Sequence, residues 1–369
     1  GRFVCFVQRV RISSFCTRSH EMDVTWKQTT LLAVLISVLV KIRHRRLLFA
    51  ALDSLVGKLC GILWFAPSKH ERSALLYVKL LREGYEKGLL ALSVHAPVAS
   101  VRDVVTDNNT KVRLYYPSFG EDLPCIIWYH GGGFVIGSIK AMDGICRRLA
   151  VETQAVVASV EYRMAPEHTF PTAHEDCYFA ARWIWRERAT LGLDTGRPLY
   201  LAGDSAGGNL ALTVPMRAAL DFEESSAGPI RFGSIVAVYP AISALAHTRS
   251  RLELFEGWPL GLHAICFFML HYLPHRWQQL DWRMALFEAD PDLLRRLPRV
   301  NLVIAEHDPL RDENIEFEQT LTSLGMPVRS KLFHMKHGEF GMRLGNGYHS
   351  LLWAASRLRE DIFGPRARL

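Results

Sequence analysis

The chain has 369 residues, 49% hydrophobic and 22% charged, the balance of a globular protein, which excludes a disordered or collagen-like chain. Its 44 Lys and Arg against 37 Asp and Glu give a formal charge of +7. The first 50 residues carry that whole surplus, with nine basic residues against Glu21 and Asp23, so the remainder is neutral and no basic face is left for nucleic acid.

Residues 29–40 are uncharged and apolar, and Lys41, Arg43, Arg45 and Arg46 follow them. Twelve residues fall short of the roughly 20 that a bilayer span needs. No small-residue cleavage site follows, so the pattern predicts an uncleaved membrane anchor. Residues 47–66 are apolar apart from Asp53 and Lys58, which suits a helix lying in the interface. Residues 1–66 are therefore expected to form a basic, apolar arm that associates with a membrane, of endoplasmic-reticulum type in a eukaryote. The alternatives are segments that cover a pocket and a soluble cytoplasmic protein. Counted from Met22, the positive-inside rule leaves the rest of the chain cytoplasmic; residues 1–21, whose place in the native protein is open, cancel that asymmetry.

Helical spacing runs through 75–90, and a hairpin is expected from 101–105 and 112–116 around Asp107, Asn108 and Asn109. Strands are then predicted at 124–129, 155–160, 199–202, 234–239, 300–305 and 328–333. Helices are predicted at 174–190, 207–220, 313–324 and 348–363. Such alternation implies a mainly parallel sheet covered on both faces. Residues 244–298 interrupt it with Phe255, Trp258, Phe267, Phe268, Tyr272, Trp277 and Trp282. Together with 67–95 they are expected to cap the carboxyl end of the sheet, where open α/β folds bind ligands. An ordinary helix pair in the core is the alternative. Seven scattered cysteines form no C-x-x-C and no zinc-ligand spacing, and Cys125 and Cys177 read as buried thiols.

Between the strand at 199–202 and the helix after it lies Gly203-Asp204-Ser205-Ala206-Gly207. G-x-S-x-G at such a junction is a nucleophile elbow, in which small neighbours let the two arms of a strained turn pass closely. His130-Gly131-Gly132-Gly133-Phe134 follows the strand ending at Tyr129. Acyl transfer needs backbone N–H groups aimed at an oxygen that becomes negative, and Gly131, Gly132 and Gly133 with the Ala206 amide form such a hole. No G-K-[ST] follows, so a phosphate-binding loop is excluded. Asp308 follows the strand at 300–305, and His337 follows the strand at 328–333. The order Ser…Asp…His suits a triad in which His337 takes the serine proton and Asp308 orients the imidazole. Asp312 and His334 are the rivals for these two roles.

The HGGGF loop, Tyr162-Arg163-Met164-Ala165-Pro166-Glu167 with Phe170-Pro171, GDSAGGNL, DPLRDE and a late His-Gly together resemble the hormone-sensitive-lipase-like branch of the α/β-hydrolases. That branch includes bacterial carboxylesterases and arylacetamide deacetylases. The resemblance covers about residues 90–363 and implies Ser205 as nucleophile, Asp308 as acid, His337 as base and an amide oxyanion hole. It also implies a supporting role for 162–171, with Glu167 and His168 structural. Here Glu339 separates Gly338 from Phe340 where the family usually has H-G-F, and it is expected to face solvent.

The expected fold is thus an α/β-hydrolase over 67–369, and the expected activity is hydrolysis of a small-molecule or lipid ester. An arylacetamide-type deacetylase is an alternative within the enzyme class. A small-ligand receptor on the same fold is the alternative outside it; plant gibberellin receptors resemble this branch but lack the histidine, so His337 argues for an enzyme. No metal or organic cofactor is implied, and nothing in the sequence speaks to oligomeric state.

Overall fold

The apolar runs at 125–129, 156–160, 199–203 and 234–238 become four neighbouring strands, because each must be buried on both faces. The computed structural model describes residues 71–93, 95–224, 229–257, 259–343 and 345–365. The expected arm at 1–66, with Cys5, Cys16 and Cys60, lies outside these residues, as does Trp258. Eight strands form one sheet: β1 (Ser100–Val105), β2 (Lys111–Tyr116), β3 (Cys125–Tyr129), β4 (Val156–Glu161), β5 (Leu199–Asp204), β6 (Phe232–Val238), β7 (Arg299–His307) and β8 (Val328–Lys336). Their order is β1-β2-β4-β3-β5-β6-β7-β8. The hairpin β1–β2 and the pair β2–β4 are antiparallel, and all other pairs are parallel.

Alternate side chains of the central strands enter different cores, as the two-residue period of a strand requires. Cys125, Ile127 and Tyr129 of β3 join Leu201, Ala237 and Leu302 on one face. That face is covered by helices α3 (Thr172–Glu187), α4 (Ala206–Glu224) and α8 (Arg311–Ser323). Ile126 and Trp128 join Ala202, Val236 and Val303 on the other face, under α2 (Asp143–Thr153) and α9 (Gly347–Phe363). The remaining helices are α1 (Glu71–Leu92), α5 (Arg249–Glu253), α6 (Leu262–Tyr272) and α7 (Pro291–Leu294). Among the described residues no helix is long and apolar enough to cross a membrane.

Helix α2 was not expected. It buries small or polar groups, Gly144, Cys146, Ala150 and Thr153, around a single Leu149, so its apolar stripe is thin. The stretch 244–298 divides in two. Helix α6 lies against the glycine loop, where a side chain on Gly133 would run into the Phe268 ring. Met284, Leu286, Leu294 and Leu297, by contrast, are buried in the same core as Leu302. Ser243 bridges to Ala285, and Leu286 N–H donates to the Ile242 carbonyl at 2.9 Å, which ties 284–297 to the body of the fold rather than above it.

Candidate active site

Strand β5 ends at Asp204 and helix α4 begins at Ala206, so Ser205 alone makes the turn, at φ 55°. A non-glycine residue in that region costs about 1–3 kcal/mol and persists only where its surroundings hold it. Here the Ser205 N–H donates to the Val238 carbonyl at 2.9 Å, and the Ser205 carbonyl accepts the N–H of Ala241 at 3.1 Å. A side chain on Gly207 would enter the carbonyls of Tyr129 and His130, the second at 2.6 Å. Glycine at 207 therefore lets the start of α4 lie directly on the end of β3.

The ends of β7 and β8 bring the other two groups to the serine. His337 Nε2 lies 2.9 Å from Ser205 Oγ, and His337 Nδ1 lies 2.7 Å from Asp308 Oδ2. Asp308 is fully buried, and its Oδ1 accepts the Leu310 N–H at 2.8 Å. One carboxylate oxygen is pinned by backbone, and the other is turned to the imidazole. A carboxylate can only accept, so Nδ1 carries the proton and Nε2 is left to accept from the serine hydroxyl. The Tyr239 ring packs against His337 at 4.4 Å between centroids and limits its rotation.

The rivals lie elsewhere. His334 is exposed, with Nδ1 2.8 Å from Glu306 Oε2. Asp312 accepts the Ser250 N–H at 2.7 Å and the Arg311 guanidinium at 2.8 Å. Glu339 does not simply face solvent; its Oε2 accepts the Lys336 N–H at 2.9 Å and closes the turn that carries His337.

The glycine loop needs one correction. The Gly131 N–H donates to Asp204 Oδ1 at 2.8 Å, so this amide is already committed and is not available to an oxyanion. Gly132 and Gly133 adopt φ 115° and 60°, a region that disfavours any residue with a Cβ. Their amides and that of Ala206 donate no hydrogen bond among the described residues. Ala206 is the first residue of α4, where helix N–H groups lack internal partners and the dipole favours negative charge.

Several groups that hold this loop escaped the sequence reading. Asp204 is buried, and desolvation pushes its pKa up to about 6 against the opposing effects of the Gly131 N–H and His337. His130 is buried beneath the loop, and burial disfavours its protonation. Its Nδ1 donates to the Gly131 carbonyl at 2.8 Å, while its own carbonyl accepts the Tyr162 hydroxyl at 2.7 Å. Arg82 of α1 donates to the carbonyls of Val135 and Ala165 at 2.7 and 2.8 Å and forks onto Glu167. Asp204 was visible inside the elbow motif, but nothing in its spacing distinguished a strut from a solvated carboxylate.

A second buried network joins α6 to α4, the helix that follows Ser205. His174 Nδ1 meets the Tyr272 hydroxyl at 2.9 Å, and His174 Nε2 meets Asn209 Oδ1 at 3.0 Å. The amide oxygen of Asn209 accepts, because its nitrogen donates to the carbonyls of Ala241 and Arg283 at 2.9 and 2.8 Å. Burial, reinforced by the Arg283 charge, pushes the His174 pKa down to about 3.

An eight-stranded sheet of this order, with a serine at a positive-φ elbow and a His–Asp pair beside it, defines an α/β-hydrolase. The model of a family described as an alpha/beta hydrolase fold matches residues 126–340. Esterase LipI of Mycobacterium tuberculosis is 35% identical over 222 residues, which is 58% of this chain and 66% of that one. Carboxylic ester hydrolase LipN of the same organism is 32% identical over 286 residues, 75% of this chain and 72% of that one. An esterase of Pyrobaculum calidifontis superposes with a TM-score of 0.70 at 35% identity, covering 77% of this chain and 92% of that one. The chain belongs to the α/β-hydrolase family, in its hormone-sensitive-lipase-like carboxylesterase branch. It spans just under two thirds of the length of LipI.

Proposed function

We propose that this protein is a serine hydrolase of carboxylic esters, with Ser205, His337 and Asp308 as its triad. The reading rests on one observation above all: a carboxylate, an imidazole and a hydroxyl linked at 2.7 and 2.9 Å. The uncommitted amides of Gly132, Gly133 and Ala206 lie on the same edge of the sheet. Ser205 Oγ attacks the ester carbonyl carbon while His337 Nε2 takes its proton, and Asp308 stabilises the imidazolium. The carbonyl oxygen, now negative, accepts from the three amides. Collapse of the intermediate breaks the acyl–oxygen bond, and the imidazolium returns the proton to the departing alkoxide. Water then attacks the acyl-serine with His337 again as base, releasing the carboxylic acid and restoring the hydroxyl.

Helix α1 and residues 249–280 form the cap on this reading. Tyr77 of α1 meets Phe267 of α6 edge-on at 5.8 Å between ring centroids, and the neighbouring Phe268 overhangs Gly133. This aromatic wall suits an apolar acyl or alcohol group. The names of the relatives favour ester over amide substrates. Membrane association through 1–66 is a separate proposal, tested by partitioning the expressed chain between membrane and soluble fractions.

Purified protein is expected to hydrolyse short-chain p-nitrophenyl esters and to be labelled at Ser205 by a fluorophosphonate. Ser205→Ala and His337→Ala are each expected to remove hydrolysis and labelling. Turnover that survives both substitutions would overturn the assignment.

A further inference from the structure

Beside the triad, and taking no part in it, Glu306, His307 and His334 gather at the carboxyl ends of β7 and β8. One potential ligand atom from each lies within 4.8 Å of the others. His334 Nδ1 is 3.2 Å from His307 Nε2 and 2.8 Å from Glu306 Oε2. A break in the strand register creates this meeting. Ala305 pairs with Phe333, but His307 pairs with Lys336, so β8 has one residue more than β7 in that interval. In a regular parallel pairing His307 would sit beside Met335, and the two imidazoles would point to opposite faces. The bulge re-aims the end of β8 and brings the rings together, 4.6 Å between centroids at 78°.

We propose that Glu306, His307 and His334 form a surface site for a divalent transition-metal cation of the zinc type. Tetrahedral zinc with bonds of about 2.0–2.2 Å to nitrogen and oxygen sets neighbouring ligand atoms roughly 3.3–3.6 Å apart. Both separations at His334 are shorter than that edge, by about 0.1–0.8 Å, so a cation needs only a small spreading of these side chains. The third pair, Glu306 and His307, lies within 4.8 Å, and the first is half-buried and the second exposed, which leaves both side chains room to turn. Two imidazoles and a carboxylate select zinc, copper or nickel over the hard cations calcium and magnesium, which take oxygen ligands. The remaining coordination position is left to water. Arg311 does not compete for the carboxylate of Glu306; its Nη1 donates to the Glu306 main-chain carbonyl at 3.2 Å, and its Nε is held by Asp312.

The site's position gives it a role. His307 directly precedes Asp308, and His334 lies three residues before His337, so a bound cation ties the two strand ends that carry the acid and the base. A cation that binds only the folded chain raises its melting temperature by linkage. This inference does not depend on the esterase reading, since its readouts are binding and melting.

The test uses the full chain, titrated with zinc chloride by calorimetry and by thermal melting, with magnesium chloride as the hard-cation comparison. Zinc is expected to raise the melting temperature and magnesium to leave it unchanged. The double variant His307→Ala/His334→Ala is expected to lose one zinc equivalent and most of that rise. The single variant Glu306→Gln, which keeps a hydrogen bond to His334, is expected to bind zinc on the order of 10-fold more weakly, at least the loss that follows removal of an outer-shell partner. His247→Gln, outside the cluster, is expected to bind as the parent does. Equal zinc stoichiometry and equal melting shifts in the parent and the double variant overturn the proposal, as does a parent that binds no zinc.

Discussion

Gly207→Ala is the sharpest single perturbation of the proposed mechanism, because it adds one methyl group whose nearest neighbours are main-chain atoms rather than the triad side chains. That methyl would stand 2.6 Å from the His130 carbonyl oxygen and closer still to that of Tyr129. Both obstacles are main chain and cannot rotate away. To regain normal contact, the start of α4 must part from the end of β3 by on the order of 1 Å, a displacement that costs about 10²-fold when it falls on reacting groups. The shift falls between the Ala206 amide, which moves with α4, and the Gly132 and Gly133 amides, which follow β3. The oxyanion donors are thereby spread while the Ser205–His337 pair need not break. The expected result is a fall in kcat of about 10²-fold on a p-nitrophenyl ester, with KM little changed. A stability loss of about 1–3 kcal/mol, as for other overpacked sites, should accompany it. Gly88→Ala in α1 is the comparison, since a methyl group there meets nothing within 4 Å. Stopped assays at saturating ester, paired with melts by circular dichroism, separate the two effects. If Gly207→Ala turns over ester within about twofold of the parent, the proposal that these amides act together is refuted.

Two further predictions follow from the same geometry. Asp308→Asn keeps the volume but lets an amide N–H face His337 Nδ1, which stabilises the wrong tautomer; turnover should fall about 10⁴-fold while fluorophosphonate labelling slows rather than vanishes. His174 is neutral in the fold and protonates near pH 6.5 when unfolded, so the folded chain binds fewer protons between pH 6.5 and about 3. The stability it contributes is complete above that window and is lost as pH falls through it, by up to about 1.4 kcal/mol per pH unit. Urea midpoints of His174→Gln should therefore depend less steeply on pH across this range; identical slopes in parent and variant would rule the explanation out.

Motifs that combine backbone demands with chain order were legible in the sequence. Gly203 and Gly207 flank a serine that needs a tight crossing, and Asp308 and His337 each follow an apolar run, so strand ends and site residues were predicted together. What escaped was carried by side chains whose partners lie far along the chain. The bond from Asp204 to Gly131 spans 73 residues, and the one from Arg82 to Ala165 spans 83. Nothing local marks either, which is why Gly131 was counted among the oxyanion donors. The ends of β7 and β8 were cut short at 305 and 333 because Glu306, His307, His334 and Lys336 break the apolar pattern while the backbone continues. Aromatic content in 244–298 suggested helices, and Arg249–Glu253 and Leu262–Tyr272 are helical, but composition does not tell a wall above a pocket from a wedge in the core. Met284, Leu286 and Leu297 belong to the second kind.

The span from Ser205 to His337 has a consequence for how the chain is made. The two residues lie 132 positions apart, with β6, β7 and β8 translated between them. On the proposed mechanism, a ribosome that has finished the elbow and the glycine loop has made a serine with no base, held in a turn that nothing downstream yet supports. Only when the last strand docks on β7 does the hydroxyl gain its imidazole. On the proposed mechanism the nascent chain is therefore chemically silent over the 132 positions that separate the serine from its base, and a product cut short between residues 207 and 337 carries the signature pentapeptide without its reactivity.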